Sequence, residues 1–495
     1  MKLKGEVFIG VDIGTGGVRA IAFNSKLEQL SSSYQEHTTI SSREDQAEQN
    51  PHEIYSNLIS CLKDVSQPYK KIMGIGFSSM LHSIMGVDEK GNPLTPLYPF
   101  TDNQGKNKIK RIKEELPTFY KKTGCPPHPM YPAVQILWLK EEKPDIFKKI
   151  KKFLSIKSFI LQKLTGDLVE DSCIASGSGL LNIHKLSWDE EILNFLSLSK
   201  KNFPRVVQAT EKLTIKSVSG LNNLRGVPVY PGAGDGMLCH LASGGLKEGY
   251  LSSTVGTSGA LRIATHKPFL NEKESIWCYH FYKNWWVSGG AIHNGGITLR
   301  WFRDRLCREE AEKAKKEGMD IYELFDKWAG EVSPGAKDLI FLPFLAGERS
   351  PNWNPRMRAC FVGLGLHHGK KEIIRSIMEG VMCRMRAVME LLKPSLPEKV
   401  EIRASGGYTK SRLWLQIQAN LFKNVIKVLQ EVEAASLGAA IIAMFAQGRL
   451  NSLEGFEPKI KEVITPDEEE VKLYARVYKK HIDLYRRLEG YFSGG

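Results

Sequence analysis

The chain has 495 residues, of which 42% are apolar and 25% charged, ordinary usage for a globular protein. At roughly 100–200 residues per domain this length predicts two or three domains, each able to bury its own core. The net charge of +14 suits an anionic partner, but the basic runs Lys106–Glu114 and Lys140–Lys152 are interspersed with acids and apolar residues and read as solvated helix faces. No zinc finger, RNP-like aromatic strand or basic-region heptad accompanies them, so no nucleic-acid partner is expected. The eight cysteines include no CxxC pair and no neighbouring His pair at zinc spacing, which predicts reduced thiols in a cytoplasmic protein. Glu6 and Asp12 interrupt the apolar start, and the longest later apolar stretch, Gly438–Ala446, is far below the ~20 residues of a membrane span, so no membrane partner is expected.

In chain order, Val7–Val11 and Val18–Phe23 are β-branched runs joined by a glycine-rich turn, the pattern of a hairpin opening a sheet. Helices are predicted over Pro51–Val65 and Ala133–Glu142, and a second strand pair over Lys71–Phe77 and Ser83–Val87, followed by a turn at Asp88–Asn92. Mixed hairpins and helices predict an α/β protein with mixed sheets. A strand over Gly249–Gly256, a Gly/Thr turn and a strand over Leu261–Ala264 repeat the opening motif, so Asp12–Arg19 and Thr254–Arg262 suggest an internal duplication with a boundary near Gly244–Gly249. A last helix is expected with Thr465 as N-cap and Pro466 as its first residue.

Several short segments carry residues suited to chemistry. In Asp12-Ile13-Gly14-Thr15-Gly16-Gly17-Val18-Arg19 a carboxylate ends an apolar strand, where burial is costly unless it is paired or near a metal. The glycines and Thr15 then let backbone N–H groups close around an anion. This fits a phosphate-cradling hairpin with Asp12 facing Mg²⁺; a plain tight hairpin with a surface Asp fits the residues equally well. Gly232-Ala233-Gly234-Asp235-Gly236 leaves one carboxylate approachable from several sides, as a general base requires, although a glycine turn capped by Asp has the same pattern. Gly256-Thr257-Ser258-Gly259 is a second candidate anion loop, and Ser405-Gly406-Gly407 leads into a helix-like stretch, Ser411–Phe422. Ser78–Ser83 ends a strand with hydroxyls and an imidazole, useful for a polyhydroxyl ligand, though a lone His is more often structural.

The order and spacing of these segments resemble the FGGY family of carbohydrate kinases, within the actin-like ATPase (ribonuclease H-like) superfamily, from about Gly10 to Leu488. Smaller echoes include Glu48-Gln49-Asn50-Pro51, Leu164-Thr165-Gly166-Asp167, Asp171–Ser176 and Gly347-Glu348-Arg349-Ser350-Pro351. The resemblance implies two α/β domains, residues 1–246 and 247–495, with a nucleotide and sugar cleft between them. It implies ATP and Mg²⁺ as cofactors and phosphorylation of a terminal hydroxyl on a small sugar or sugar acid, with a homodimer as candidate assembly. Asp235 would be the catalytic base, and Asp12 with Asp235 would hold the metal. Thr15, Gly16, Gly17, Arg19, Gly256, Thr257, Ser258, Gly296, Gly407 and Ser411 would bind the nucleotide. Leu81, His82, Asp102 and Asp235 would bind the sugar. Ser78–Ser83 with Thr123–Met130 looks most like the family's gluconate kinases, with xylulose and other polyol kinases as alternatives and a non-catalytic ATP-binding scaffold as a further one. The chain departs from the family pattern at Phe100 and Gln104 (WxDxR), at Gln135 (Lys) and at Asn420 (Asp).

Overall fold

The computed structural model describes residues 3–430 and 433–493. Two mixed sheets dominate it. The first has β1 (Leu3–Ile13), β2 (Gly17–Asn24), β3 (Gln29–Glu36), β4 (Tyr69–Ser79), β5 (Leu213–Thr214) and β6 (Pro228–Gly234), in the spatial order β5-β6-β4-β1-β2-β3. The second has β7 (Tyr250–Val255), β8 (Gly259–Thr265), β9 (Trp277–Tyr282), β10 (Trp285–Ile292), β11 (Glu401–Ser405), β12 (Ile426–Leu429) and β13 (Ile460–Ile464), in the order β9-β10-β8-β7-β11-β12-β13.

The suggested duplication is a property of the whole topology. β1 pairs antiparallel with β2 and parallel with β4, and β7 pairs antiparallel with β8 and parallel with β11. β6 joins parallel to β4 as β12 joins parallel to β11, and each sheet closes on an antiparallel edge strand, β5 or β13. Helix follows strand at equivalent points: α1 (Asp235–Ala242) leaves β6, and α2 (Ala434–Ala446) follows β12.

These two helices pack on one another, and α2 lies across β1, β4 and β6 of the first sheet. The sequence makes that possible in two ways. α2 is apolar on every side, as a helix buried between layers must be. The strands beneath it carry glycine: a Cβ on Gly10 would sit 1.8 Å from the Ser436 carbonyl oxygen, and one on Gly76 would sit 1.8 Å from that of Ala439. A segment of the second half of the chain is therefore built into the first half's core, which a linear boundary near residue 246 does not express. Among the described residues, no helix is long and apolar enough to cross a membrane.

Three expectations change in detail. Met85–Val87 is not the hairpin partner of β4; it pairs with Lys152–Leu154, because the chain turns away at His82, whose φ is +62°. The basic stretch 106–114 is not wholly solvated, since Lys108 is buried and paired with Glu141 and Glu142. The last helix is Glu468–Ser493, and Asp467 caps it in place of Thr465 by accepting from the N–H groups of Glu469 and Glu470. That helix start also accounts for Asn420. Its amide donates to Glu470 at 2.6 Å and its oxygen accepts from the Asp467 N–H at 2.8 Å, where an aspartate would face Glu470 with like charge.

Candidate active site

The β1–β2 turn is held from outside. The Thr15 carbonyl accepts from His37 at 3.0 Å and from the Gln49 amide at 2.7 Å, while Gly14 N–H bonds the Gly17 carbonyl at 2.9 Å. Gln49 was visible only as an echo of a family pattern; here its task is to fix this loop. Asp12, directly across the ladder from Arg19, stands at the head of β1 and accepts from the Ser78 hydroxyl at 2.6 Å. Arg19 pairs with Glu433 at 2.9 Å and lies over the Tyr34 ring, 4.7 Å from its centroid.

Asp235 opens α1, where its Oδ1 accepts from the Gly236 N–H at 2.6 Å. Burial raises the pKa of both Asp12 and Asp235; the Asp235 charge raises that of Asp12 further, to about 6, against the relief from Ser78. Glu433 precedes α2 as Asp235 opens α1, and its charge also acts on Asp12. The topological repeat thus brings a carboxylate from each equivalent helix start toward the same strand end. Among the described residues the Oδ2 atoms of Asp12 and Asp235 take no protein hydrogen bond. No group of three or more His, Cys, Asp or Glu among those residues is arranged to hold a metal. Two facing carboxylates with free oxygens suit a Mg²⁺ that takes one or two protein ligands and its remaining ligands from phosphate and water.

The segment leading to Asp235 is anchored from below. Lys157, fully buried, donates to the Ala233 carbonyl at 2.7 Å and to Asp171 at 2.8 Å, and Asp171 accepts from the N–H groups of Cys173 and Ile174. Sequence reasoning noticed Asp171 only as part of an echo and missed Lys157. A lysine in an ordinary helical pattern gives no sign that it is buried until the helix is docked.

His82 is buried, and its Nδ1 faces the Gly177 carbonyl, so that nitrogen carries the proton and Nε2 is left as an acceptor. Burial is the main cause that lowers its pKa to about 3, so the ring stays neutral. Leu81 covers Gly234, where an added Cβ would meet its Cδ2 at 2.5 Å. Asp102 ties two segments together: it is fully buried and accepts from the Ala47 N–H, the Gln104 N–H and the Gln104 amide. Gln104 in turn accepts from Arg43 at 2.8 Å, so the departing WxDxR segment is bonded to the stretch 43–47.

On the second sheet a cavity of about 520 Å³ opens beside β7. Its lining gathers Gly256, Thr257, Gly296, Gly407 and Ser411 from three separate segments, joined by Tyr408, Lys410, Arg300, Tyr322 and Asp326. Ser258 is outside that lining; its carbonyl accepts from Gly256 N–H and closes the loop. The N–H groups of Gly295, Gly296 and Ile297 bond the carbonyls of Gly256 and Thr257, so the following helix, Ile297–Leu306, is stitched to the loop. A Cβ on Gly295 would come within 2.7 Å of Ser258 backbone, which explains the glycine pair. Ser411 caps the helix Arg412–Phe422 by accepting from Trp414 N–H, and its hydroxyl donates to Asp326 at 2.8 Å.

Arg262, on β8, was included in the repeated motif but given no role. Its guanidinium lies beside Gly236 and acts on Asp235, and its Nε and Nη1 are buried without a hydrogen-bond partner.

Residues 7–242 match the N-terminal domain, and residues 251–447 the C-terminal domain, of the FGGY family of carbohydrate kinases. The chain is 36% identical to a gluconokinase of Bacillus subtilis, covering 98% of this chain and 96% of the relative. It is 25% identical to a xylulose kinase of Staphylococcus xylosus, covering 96% and 99%. Among solved structures it resembles a gluconate kinase from Lactobacillus acidophilus with a TM-score of 0.93 and 29% identity over 99% of both chains, and a ligand-bound xylulose kinase from the same organism with equal figures.

Proposed function

This chain belongs to the FGGY family of carbohydrate kinases, with the two-domain actin-like ATPase fold, and from that premise we propose that it transfers the γ-phosphoryl group of ATP to the terminal hydroxyl of D-gluconate, giving 6-phosphogluconate. The observation that carries the substrate is the 36% identity with a gluconokinase over nearly the whole chain, against 25% with a xylulose kinase. Backbone shape is neutral on this point, since the similarity to a gluconate kinase and to a xylulose kinase structure is the same. Eight free cysteines, six of them buried, suit a reducing compartment such as the cytoplasm.

Phosphoryl transfer asks mainly for positioning and for neutralisation of charge. Asp235 accepts the proton of the attacking hydroxyl; its raised pKa makes it a better acceptor than an exposed carboxylate. Lys157 fixes the height of the turn that presents it. His82 Nε2 accepts from an acceptor hydroxyl, and Leu81 walls the site next to Asp235. Thr15, Gly16, Gly17 and Arg19 face the transferring group from one sheet, while Gly256, Thr257 and Ser258 hold the phosphates from the other. Gly296, Gly407 and Ser411 line the adenosine end. Asp12 and Asp235 would hold Mg²⁺, which supplies charge neutralisation on the phosphate oxygens when bound. Arg262, unpaired beside Asp235, adds a positive charge at the same point.

The proposal is tested by ADP release from ATP and Mg²⁺ with D-gluconate, D-xylulose, L-ribulose and glycerol in separate assays. Turnover with gluconate alone is expected, and a preference for xylulose would replace the substrate while keeping the chemistry. A separate variant checks the nucleotide site. A Cβ on Gly407 meets nothing within 4 Å, yet the residue lines the cavity. Gly407→Ala is therefore expected to leave the melting midpoint unchanged while raising KM for ATP by about tenfold, as a methyl group fills ligand space.

A further inference from the structure

Buried arginines in this chain are paired with carboxylates: Arg375 with Glu379, Arg384 with Glu348, and Arg403 with Glu401. Arg349, which is half-buried, is different. It forms no ion pair among the described residues; its Nε is buried without a hydrogen-bond partner, and its Nη2 meets only the Met130 sulfur at 3.3 Å. Arg262 is the other guanidinium left in this state, and it stands at the Asp235 end of the cleft.

The groups around Arg349 supply no negative charge. Its charge acts on His82, His128 and His293, and burial holds all three rings neutral. Tyr131 and Tyr279, which share a hydrogen bond of 2.9 Å, stand edge-on to His82 at 4.9 and 5.6 Å, and both phenols are kept protonated by burial. The segment is held by hydrogen bonds at several points. Asn294 donates to the Gly347 carbonyl and accepts from Ala346 N–H, Glu348 is clamped by Arg384 and Tyr485, and Ser350 donates to the Ser275 carbonyl at 2.7 Å. The fold therefore holds a fixed, partly desolvated guanidinium next to the imidazole assigned to the sugar, with no protein anion to satisfy it. Leaving such a donor unmet is costly, and a planar carboxylate is the group its fork fits.

We propose that Arg349 reads the carboxylate of the acceptor, at the end of the substrate opposite the hydroxyl that Asp235 deprotonates, so that the site selects sugar acids over neutral polyols and ketoses. This rests on the gluconate reading above. It divides the two unpaired arginines by position: Arg262 serves the phosphoryl end and Arg349 the carboxylate end.

The test compares D-gluconate with D-glucitol, which has the same hydroxyls and CH₂OH in place of the carboxylate. Full-length wild type, Arg349→Met and Arg262→Met are assayed for kcat/KM with both acceptors. Arg349→Met is expected to lose about 100-fold or more with gluconate and to change less than threefold with glucitol, so that the preference collapses. Arg262→Met is expected to lower both alike. If Arg349→Met keeps the gluconate preference, or loses both acceptors equally while its melting transition stays intact, the assignment fails and the gluconate reading survives. A wild type that does not turn over gluconate overturns both. Should the Met variant fail to fold, Arg349→Lys gives the same comparison: a charge without the fork is expected to weaken gluconate and spare glucitol, and an unchanged preference overturns the proposal.

Discussion

Asp235→Ala should lower kcat for gluconate by at least about 10³-fold while leaving ATP affinity within a factor of about three. The split follows from where the parts sit. Asp235 opens the helix that leaves the first sheet, whereas the cavity holding Gly256, Thr257, Gly296, Gly407 and Ser411 is built on the second. Removing the carboxylate takes away the proposed proton acceptor and one of the charges that act on Asp12, but none of the cavity lining. Single-turnover phosphorylation together with titration of a fluorescent ATP analogue separates the two quantities. Turnover within tenfold of wild type would remove Asp235 from the chemistry. A parallel collapse of nucleotide affinity would mean that the residue supports the fold of the cleft. The Asn variant is the sharper form of the test, because it keeps the hydrogen bond to Gly236 N–H and loses only basicity.

The contrast between what the sequence revealed and what it concealed is physical. Glycine turns at strand ends were legible because few other residues permit those turns, and they marked both hairpins and the Asp235 segment. The repeat was faint in sequence, two short motifs, yet it governs the pairing of both sheets. Periodicity shows that a helix has an apolar face but never names what covers it. For that reason α2, apolar all round, could not be assigned to the first sheet, although Gly10 and Gly76 were already in the strands that receive it. Arg349 and Arg262 were read as part of motifs, but their significance is a missing partner, and an absence of partners becomes visible only after every neighbour has been placed. Asp102 shows the opposite case. Its position in a family pattern suggested sugar contact, and the structure shows its carboxylate also accepting from Gln104 twice and from the distant Ala47 N–H.

Asp12→Asn should give a protein that is more stable than wild type and nearly inactive. Asp12 is a strand-end carboxylate that burial and the charges of Asp235 and Glu433 push up to about 6. A carboxyl group whose pKa is higher in the folded protein than in the unfolded chain binds its proton more tightly when folded. At pH 7.5 the ionised group therefore works against folding, and stability recovers as pH falls through about 6 and the native carboxyl takes up its proton. Asparagine removes that penalty, of about 3 kcal/mol, while its side-chain oxygen can still accept from Ser78. Melting midpoints measured in EDTA should place the variant above wild type at pH 7.5, with the gap closing toward pH 5. Activity should fall by about 10²-fold or more, since the charge that burdens the empty fold is the one proposed to hold Mg²⁺ opposite the phosphates. A variant of equal or lower stability at pH 7.5 would show that Ser78 and Arg19 already neutralise Asp12, and the two-carboxylate picture of the cleft would have to be abandoned.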